Sequence, residues 1–330
     1  MAETKITNVV VPEVFTKYVL EPSIYRNRFL KSGVLAANNT IDSLLAGGGK
    51  TFNLPFWQDL DDTNSSVPSE TVALTVGNIT AEKQIAVRLQ RNRAWGANAM
   101  SAILSGDDPM GAIESFVGGY WERDYNKTLV SICNGVFADN IANDSSDLVN
   151  DSGLTVFSSD GVIDAQALLG ENGVVGRGDS TEYVGIAVHP NTYAKMRKLD
   201  VIDFIPISGQ TRPIPFYMGM EVIVDRRMPT STNSNGTEYT SYMYKAGALQ
   251  FGQTSRGYEA TSTDRDESKG MGIDKLYTRR VYTIHPTGFA FQSSSVAGES
   301  PTNTELEAAA NWDRVFEKEN IGIVAYIHGI

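Results

Sequence analysis

The sequence predicts an α+β fold organised around one long helix, and three patterns carry that expectation. Apolar and polar residues alternate with a period of two in stretches between Lys50 and Arg93 and again between Lys275 and Gln292, the pattern of strands with one buried face. Apolar residues recur with a 3.6-residue period for about 30 residues after Pro109, which predicts a helix far longer than the usual globular one. Between residues 155 and 245, short strand and helix signals alternate as in a compact α/β unit.

Taken in order, the first residues form an arm rather than a core element. Pro12 and Pro22 bracket a short helix from Glu13 to Glu21. Thr51-Phe52-Asn53-Leu54-Pro55-Phe56-Trp57 is a strand whose proline bars it from the centre of a sheet. A polar, turn-rich stretch from Asp59 to Ser69 follows. Val72, Leu74 and Val76 then alternate with Thr71, Ala73 and Thr75 as a second strand, and Ile85, Val87 and Leu89 mark a third. At about 3.3 Å per residue these strands make a long ribbon with one apolar face. A two- or three-stranded ribbon is marginal alone, and no helix lies within the segment to cover it. The expectation is that a second copy of the chain does so, with Phe52, Phe56, Trp57, Val72, Leu74 and Val76 as contact residues.

A short helix is expected over Asn92 to Ser105. Asp107-Asp108-Pro109 then starts the long one, with Asp in the cap position and Pro in the first helical position. Its apolar stripe runs from Ile113 through Ile141, Gly118-Gly119 is a candidate bend, and the Asn-, Asp- and Ser-rich stretch after Asn143 ends it. Next come a helix at Asp164–Leu169, a strand at Tyr183–Val188, a helix from Pro190 through Leu199, and a strand at Glu221–Val224. Ser231 to Thr240 reads as a polar loop around the Asn235-Gly236 turn signal. Strands follow at Ala248–Phe251 and within Lys275–Gln292, separated by a charged loop at Asp264–Gly272. Thr302 to Glu305 is a capping box, opening a helix through Leu306, Trp312 and Phe316. An apolar strand, Ile321–Ile327, closes the chain.

The charge balance narrows function. Lys plus Arg number 28 against 39 Asp plus Glu, a net charge of −11, whereas sequence-specific nucleic-acid binding calls for a basic face. The single cysteine, Cys133, sits in the apolar helix as a small buried hydrophobe, and no disulfide framework exists. No leader pattern begins the sequence and no run approaches the ~18 apolar residues of a membrane span.

The motifs tested for chemistry fail on their surroundings. Gly47-Gly48-Gly49-Lys50-Thr51 resembles the end of a phosphate-binding loop, but Leu44 stands where its first glycine belongs and a strand follows instead of a helix. The bland reading is a hinge at the base of the ribbon. His189 and His285 precede prolines and His328 lies apart, so none marks a catalytic pair. Asp59, Asp61 and Asp62 lack the spacing of a calcium loop. No catalytic, cofactor-binding or metal-binding residue is assigned. Arg279-Arg280 sits inside a late strand, where neighbours face opposite sides. One arginine is expected to meet the long helix, and the other to reach outward toward a carboxylate of its own chain or of another copy.

The order of elements (arm, extended hairpin, spine helix, inserted α/β unit, long returning strand) resembles the tailed-bacteriophage major capsid fold of the Hong Kong ninety-seven type. Local phrases are similar too: Asp107-Asp108-Pro109 leading to Tyr120-Trp121, Val188-His189-Pro190, Gly219-Met220-Glu221-Val222, and Tyr282 through Phe289 with its His285-Pro286-Thr287-Gly288 centre. Ser300-Pro301-Thr302-Asn303 through Asn311-Trp312 resembles one subgroup of these coat proteins. The resemblance implies an N-terminal arm at 1–45, an extended hairpin (E-loop) at 46–93, and a peripheral domain with the spine helix at 94–154. It also implies an axial domain at 155–245 and returning peripheral strands with the C-terminal helix and strand at 246–330. It further implies self-assembly into hexamers and pentamers of an icosahedral head enclosing double-stranded DNA, which an acidic wall would contact only non-specifically. A separate scaffolding protein and a portal are the expected partners, with assembly in the host cytoplasm and the virion capsid as destination. No enzyme activity, cofactor or membrane contact is implied. Lys50 and Lys83 lie near the hairpin, but no motif assigns either a cross-linking asparagine. The competing expectations are an encapsulin-like nanocompartment shell protein and a cytoplasmic α/β enzyme.

Overall fold

The computed structural model describes residues 29, 32–58, 60, 64–68, 71, 73, 76–170, 183–205, 213–269 and 271–330. The expected Glu13–Glu21 helix, and Val72 and Leu74 of the expected second ribbon strand, lie outside them.

Two sheets and one helix make the body. In the first sheet the 14-residue strand β14 (Ile273–Pro286) is central. Along one edge it pairs antiparallel with β4 (Leu89–Asn98), from Ile273 opposite Asn98 to Tyr282 opposite Leu89. Its other edge is shared in succession by β13 (Thr261–Asp266) and β12 (Leu249–Thr254), and β12 carries the short parallel strand β1 (Leu35–Ala37). The second sheet runs β5 (Val149–Val156), β17 (Ile323–Gly329), β11 (Gly236–Lys245), β6 (Tyr183–Val188), β9 (Met220–Val224), β8 (Ile214–Tyr217), β7 (Asp203–Ile205), with β10 (Thr230–Asn233) hairpinned onto β11. The C-terminal strand thus closes between β5 and β11, far in sequence from both.

The long helix, α3 (Pro109–Asn143, 35 residues), joins the two sheets. Asp108 caps it, its carboxylate accepting from the Met110 N–H at 3.0 Å, with Pro109 at the first turn. The helix runs unbroken through Gly118-Gly119. Instead of one apolar stripe, most residues from Thr128 to Asn140 are buried around the helix, polar Thr128, Ser131 and Asn140 included, while Ile141 to Asn143 are exposed. The sheet covers one side: Trp121 Nε1 donates to Thr278 Oγ1 at 3.2 Å, and Tyr282 OH lies 3.1 Å from Thr128 Oγ1. The C-terminal segment covers another, Trp312 Nε1 donating to Leu306 O against Gly135. A Cβ on Gly135 would land on Leu306 O and lie 2.5 Å from Trp312 Nε1, so the close approach requires glycine there. Cys133 is fully buried, and burial pushes its thiol up to about 12, which leaves it an inert packing residue.

Four local expectations are corrected. Thr71, Ala73 and Val76 are not in a strand. Alternation there reflects β-propensity, which on its own is a weak determinant of strand structure. Asn92 to Asn98 is strand rather than helix, because β14 satisfies its backbone; the helix begins only at Ala99, capped by the Asn98 side chain. Asp264 to Asp266 belongs to strand β13, although its polar composition suggested a loop. The Thr302–Glu305 capping box forms as expected but opens a helix of only four residues, Asn303–Leu306. Trp312–Arg314 then turns into strand β16 to pair with β15 (Phe289–Phe291).

Candidate inter-subunit surface

The extended hairpin consists of β2 (Thr51–Trp57) and β3 (Ala81–Val87), paired antiparallel with Thr51 opposite Val87 and Trp57 opposite Ala81. Gly48 and Gly49 have positive φ, +98° and +91°, and turn the chain into β2 from α1 (Asn39–Leu45). Lys50 forms an exposed 3.1 Å pair with Glu299, so the glycine run serves as the hinge into a strand and not as a phosphate loop.

The foot of the hairpin is bound to its own molecule. Phe52 is 9% exposed and packs with Ala86, Ile41 and Leu45, with Leu54 and Val281 against them. Gln84 is buried, and its Oε1 accepts from Gly288 N–H at 2.9 Å while His285 Nε2 lies 3.0 Å away. Thr283 Oγ1 donates to Val87 O at 2.8 Å. Near the far end of the paired strands, Phe56 meets Phe316 edge to face at 4.6 Å. Beyond that point cover thins, Trp57 and Leu60 only bordering a hollow shared with Val315, Glu317 and Asn320. Trp57 is 68% exposed, Leu60 69%, Val67 87% and Val76 91%. These are the four most exposed large apolar residues among those described, and their gathering on one projection marks an interaction surface.

The sequence-derived contact residues therefore separate. Phe52 faces inward, Phe56 is half-buried on Phe316, and Trp57 and Val76 face solvent. The expectation that the whole ribbon lacks cover in its own chain is corrected: the foot has it, because α1 and β14 pass beneath. Arg280 meets the spine helix as expected, its guanidinium 5.5 Å from the Trp121 ring centre. Arg279 is held by neutral acceptors of its own chain, Glu259 O at 3.2 Å and Ser262 Oγ at 3.0 Å.

Both arginines open onto a cavity of about 450 Å³ at the hairpin foot, together with Arg88, Arg91 and Arg256; no carboxylate lines it. None of the five forms an ion pair among the described residues. Arg91 donates to Ser300 Oγ and Pro301 O, and Arg88 to Leu45 O, while Arg88 Nε is buried without a partner among the described residues. Sequence reasoning found only two of the five. The others come from β3–β4 and from the turn after β12, and nothing short of the strand pairing brings them together.

Elsewhere, the histidines serve packing. His328 Nε2 lies 3.0 Å from Ser241 Oγ, a spacing suited to a base and a nucleophile. Both residues are fully buried, and His328 Nδ1 faces Gly329 O at 2.8 Å, so the imidazole N–H donates to that carbonyl and the serine donates to Nε2. No substrate can reach the pair. Burial lowers His328 and His285 to about 4 each, and His189 caps the helix Pro190–Lys198 through Nδ1.

A projecting, partly uncovered hairpin on a two-sheet body with a spine helix defines a shell-building subunit, and the comparisons agree. No family model matches the chain. The major capsid protein of Bacillus phage SPP1 is 35% identical over 99% of both chains. In fold, the chain is similar to a capsid protein of Ralstonia phage GP4, with TM-score 0.59, 12% identity, 96% of this chain and 95% of that one covered. It is likewise similar to the capsid of cyanophage Pam1, with TM-score 0.59, 10% identity, and 100% and 99% covered. The chain belongs to the family of tailed-bacteriophage major capsid proteins with the Hong Kong ninety-seven type fold. Among the described residues no helix is long and apolar enough to cross a membrane.

Proposed function

We propose that this subunit self-assembles into hexamers and pentamers of an icosahedral phage head around double-stranded DNA, its hairpin tip seated on an adjacent copy. Residues 1–45 act as the arm, 46–93 as the E-loop, 94–154 and 246–330 as the peripheral domain and 155–245 as the axial domain, with the C-terminal strand Ile323–Gly329 returning to the axial sheet beside β11, and the chain works with a separate scaffolding protein and a portal. The observation that carries this reading is the hairpin itself: a foot held by Phe52, Gln84 and Thr283 presents an uncovered tip bearing Trp57. Wrapping of packaged DNA is non-specific, in keeping with the net charge of −11. The test is negative-stain microscopy of the expressed full chain, alone and with the cognate scaffolding protein. Closed shells or capsomer rings are expected. A monodisperse monomer under both conditions overturns the proposal, and an enzyme co-purifying inside the shells would favour a nanocompartment.

A further inference from the structure

We infer that the arginine cavity at the hairpin foot is a binding site for a compact polyphosphate anion, free or carried as the tail of a nucleotide. The site is complete within one chain and does not depend on the shell-subunit reading.

Residues far apart in sequence supply the five guanidinium groups. Arg88 lies between β3 and β4, Arg91 on β4, Arg256 in the turn after β12, and Arg279 and Arg280 on β14. No Asp or Glu lines the cavity among the described residues. Every hydrogen-bond acceptor that the arginines meet there is neutral, a backbone carbonyl, a hydroxyl or a side-chain amide. Asp124 and Glu305 act on Arg91 from outside the cavity wall, and Glu299 is taken by Lys50. The Nε of Arg88 is buried with no partner among the described residues, so neither solvent nor the chain fills that donor.

Cations gathered in one hollow repel one another unless an anion joins them. Guanidinium groups present planar forks that meet phosphate oxygens in pairs. Five of them exceed the charge of one carboxylate or one orthophosphate and suit an anion with several linked charges. The hollow of about 450 Å³ falls among small-ligand pockets of about 300–1,000 Å³. A duplex would instead need an extended basic stripe, and the chain as a whole carries a net charge of −11. The donors are side chains from strands, so the site owes nothing to a helix N-terminus. Tyr258 is also in the wall, its hydroxyl accepting from Val281 N–H at 3.0 Å and donating to Thr254 O at 2.7 Å. That held ring is where a nucleotide would gain over bare polyphosphate, by stacking of its base. Ala46 and Gly48 of the glycine hinge line the same hollow, so a bound anion would tie the hinge to β4 and β14.

Isothermal titration calorimetry of the dissociated full chain, at about 0.15 M salt and without divalent cations, tests the site with inorganic pyrophosphate. Saturable binding at one site per chain is expected, with orthophosphate at least about tenfold weaker. Arg256→Gln with Arg279→Gln should weaken pyrophosphate at least about tenfold at unchanged melting temperature. Arg197→Gln with Lys198→Gln removes the same charge from exposed positions on the helix Pro190–Lys198 and should leave the affinity within about twofold. If the paired arginine variant melts early, Arg256→Gln alone, at an exposed position, is read instead and should weaken binding at least about threefold. ATP binding tighter than pyrophosphate, with the gain lost in Tyr258→Ala, assigns the nucleotide; ATP binding no tighter assigns free polyphosphate. Absence of saturable pyrophosphate binding overturns the site, and so does equal weakening by the two double variants. A short DNA duplex that binds more tightly than pyrophosphate, and through the same arginines, also overturns it and makes the cavity a nucleic-acid contact.

Discussion

Truncating Phe52 and Trp57 separately should divide folding from assembly, because two aromatic residues five apart on one strand do opposite work. Phe52 lies at the hairpin foot, 9% exposed, in a small cluster with Ile41, Leu45 and Ala86. A buried Phe→Ala change costs about 3–5 kcal/mol. The cluster is small and able to relax, so about 3 kcal/mol is expected for Phe52→Ala. At roughly 2–4 °C per kcal/mol for a large domain, the subunit should melt about 6–12 °C lower. Trp57 is 68% exposed, so Trp57→Ala should change subunit stability by no more than about 0.5 kcal/mol. A tryptophan that anchors an interface is worth about 2 kcal/mol or more, and every ~1.4 kcal/mol is tenfold in an equilibrium constant. The concentration at which shells first form should therefore rise about 30-fold. Thermal melting of the dissociated subunit, with light scattering across a dilution series, measures both quantities. The reasoning is refuted if Trp57→Ala assembles at the unmodified threshold, or if Phe52→Ala melts normally.

Acid should unfold the subunit through its buried histidines. His285 and His328 are held neutral, near 4, against about 6.5 in an unfolded chain. Their effect on stability is flat above pH 6.5 and becomes a loss of about 1.4 kcal/mol per pH unit for each as pH falls from 6.5 to 4. Urea midpoints at pH 7, 5.5 and 4.5 check this, and His285→Gln should flatten the slope; equal midpoints would contradict it. Gly135→Ala should overpack the helix against Leu306 and Trp312, costing about 1–3 kcal/mol in a denaturant melt. Asp108→Ala removes the cap of the spine helix and should cost about 1 kcal/mol, seen as the same melt displaced without a change in slope.

What was legible in the sequence followed from local rules. Asp108-Pro109 announced the spine helix, Tyr183–Val188 its buried strand, and Thr302–Glu305 its capping box, because cap chemistry and continuous apolar runs act within a few residues. Readings failed where a distant partner decided. Asn92 to Asn98 has no strand signature of its own and is extended because β14, almost 200 residues later, completes its hydrogen bonds. The all-round burial of Leu129 to Phe137 was hidden for the same reason: Trp312 and Leu306 cover a face that pattern alone assigns to solvent. The ribbon showed its apolar residues but not the boundary between its covered and uncovered ends, since α1 and Val281 lie beneath Phe52 only after folding.

The boundary at Phe56 has an energetic consequence for assembly. A flexible apolar ribbon would lose about 0.5–1.5 kcal/mol for every side chain immobilised on docking, offsetting much of what burial of its tip contributes. Here Gln84, Thr283 and the Phe52 cluster fix the strand pair during folding of the subunit, using interactions internal to the chain. Docking then spends no further ordering cost on the foot. The greasy tip can stay short, which limits misplaced contacts between free subunits, and still bind firmly once many copies surround it. A hairpin anchored along its whole length would have nothing left to offer a second copy, and one anchored nowhere would dock weakly. The division at Phe56 lies between those limits.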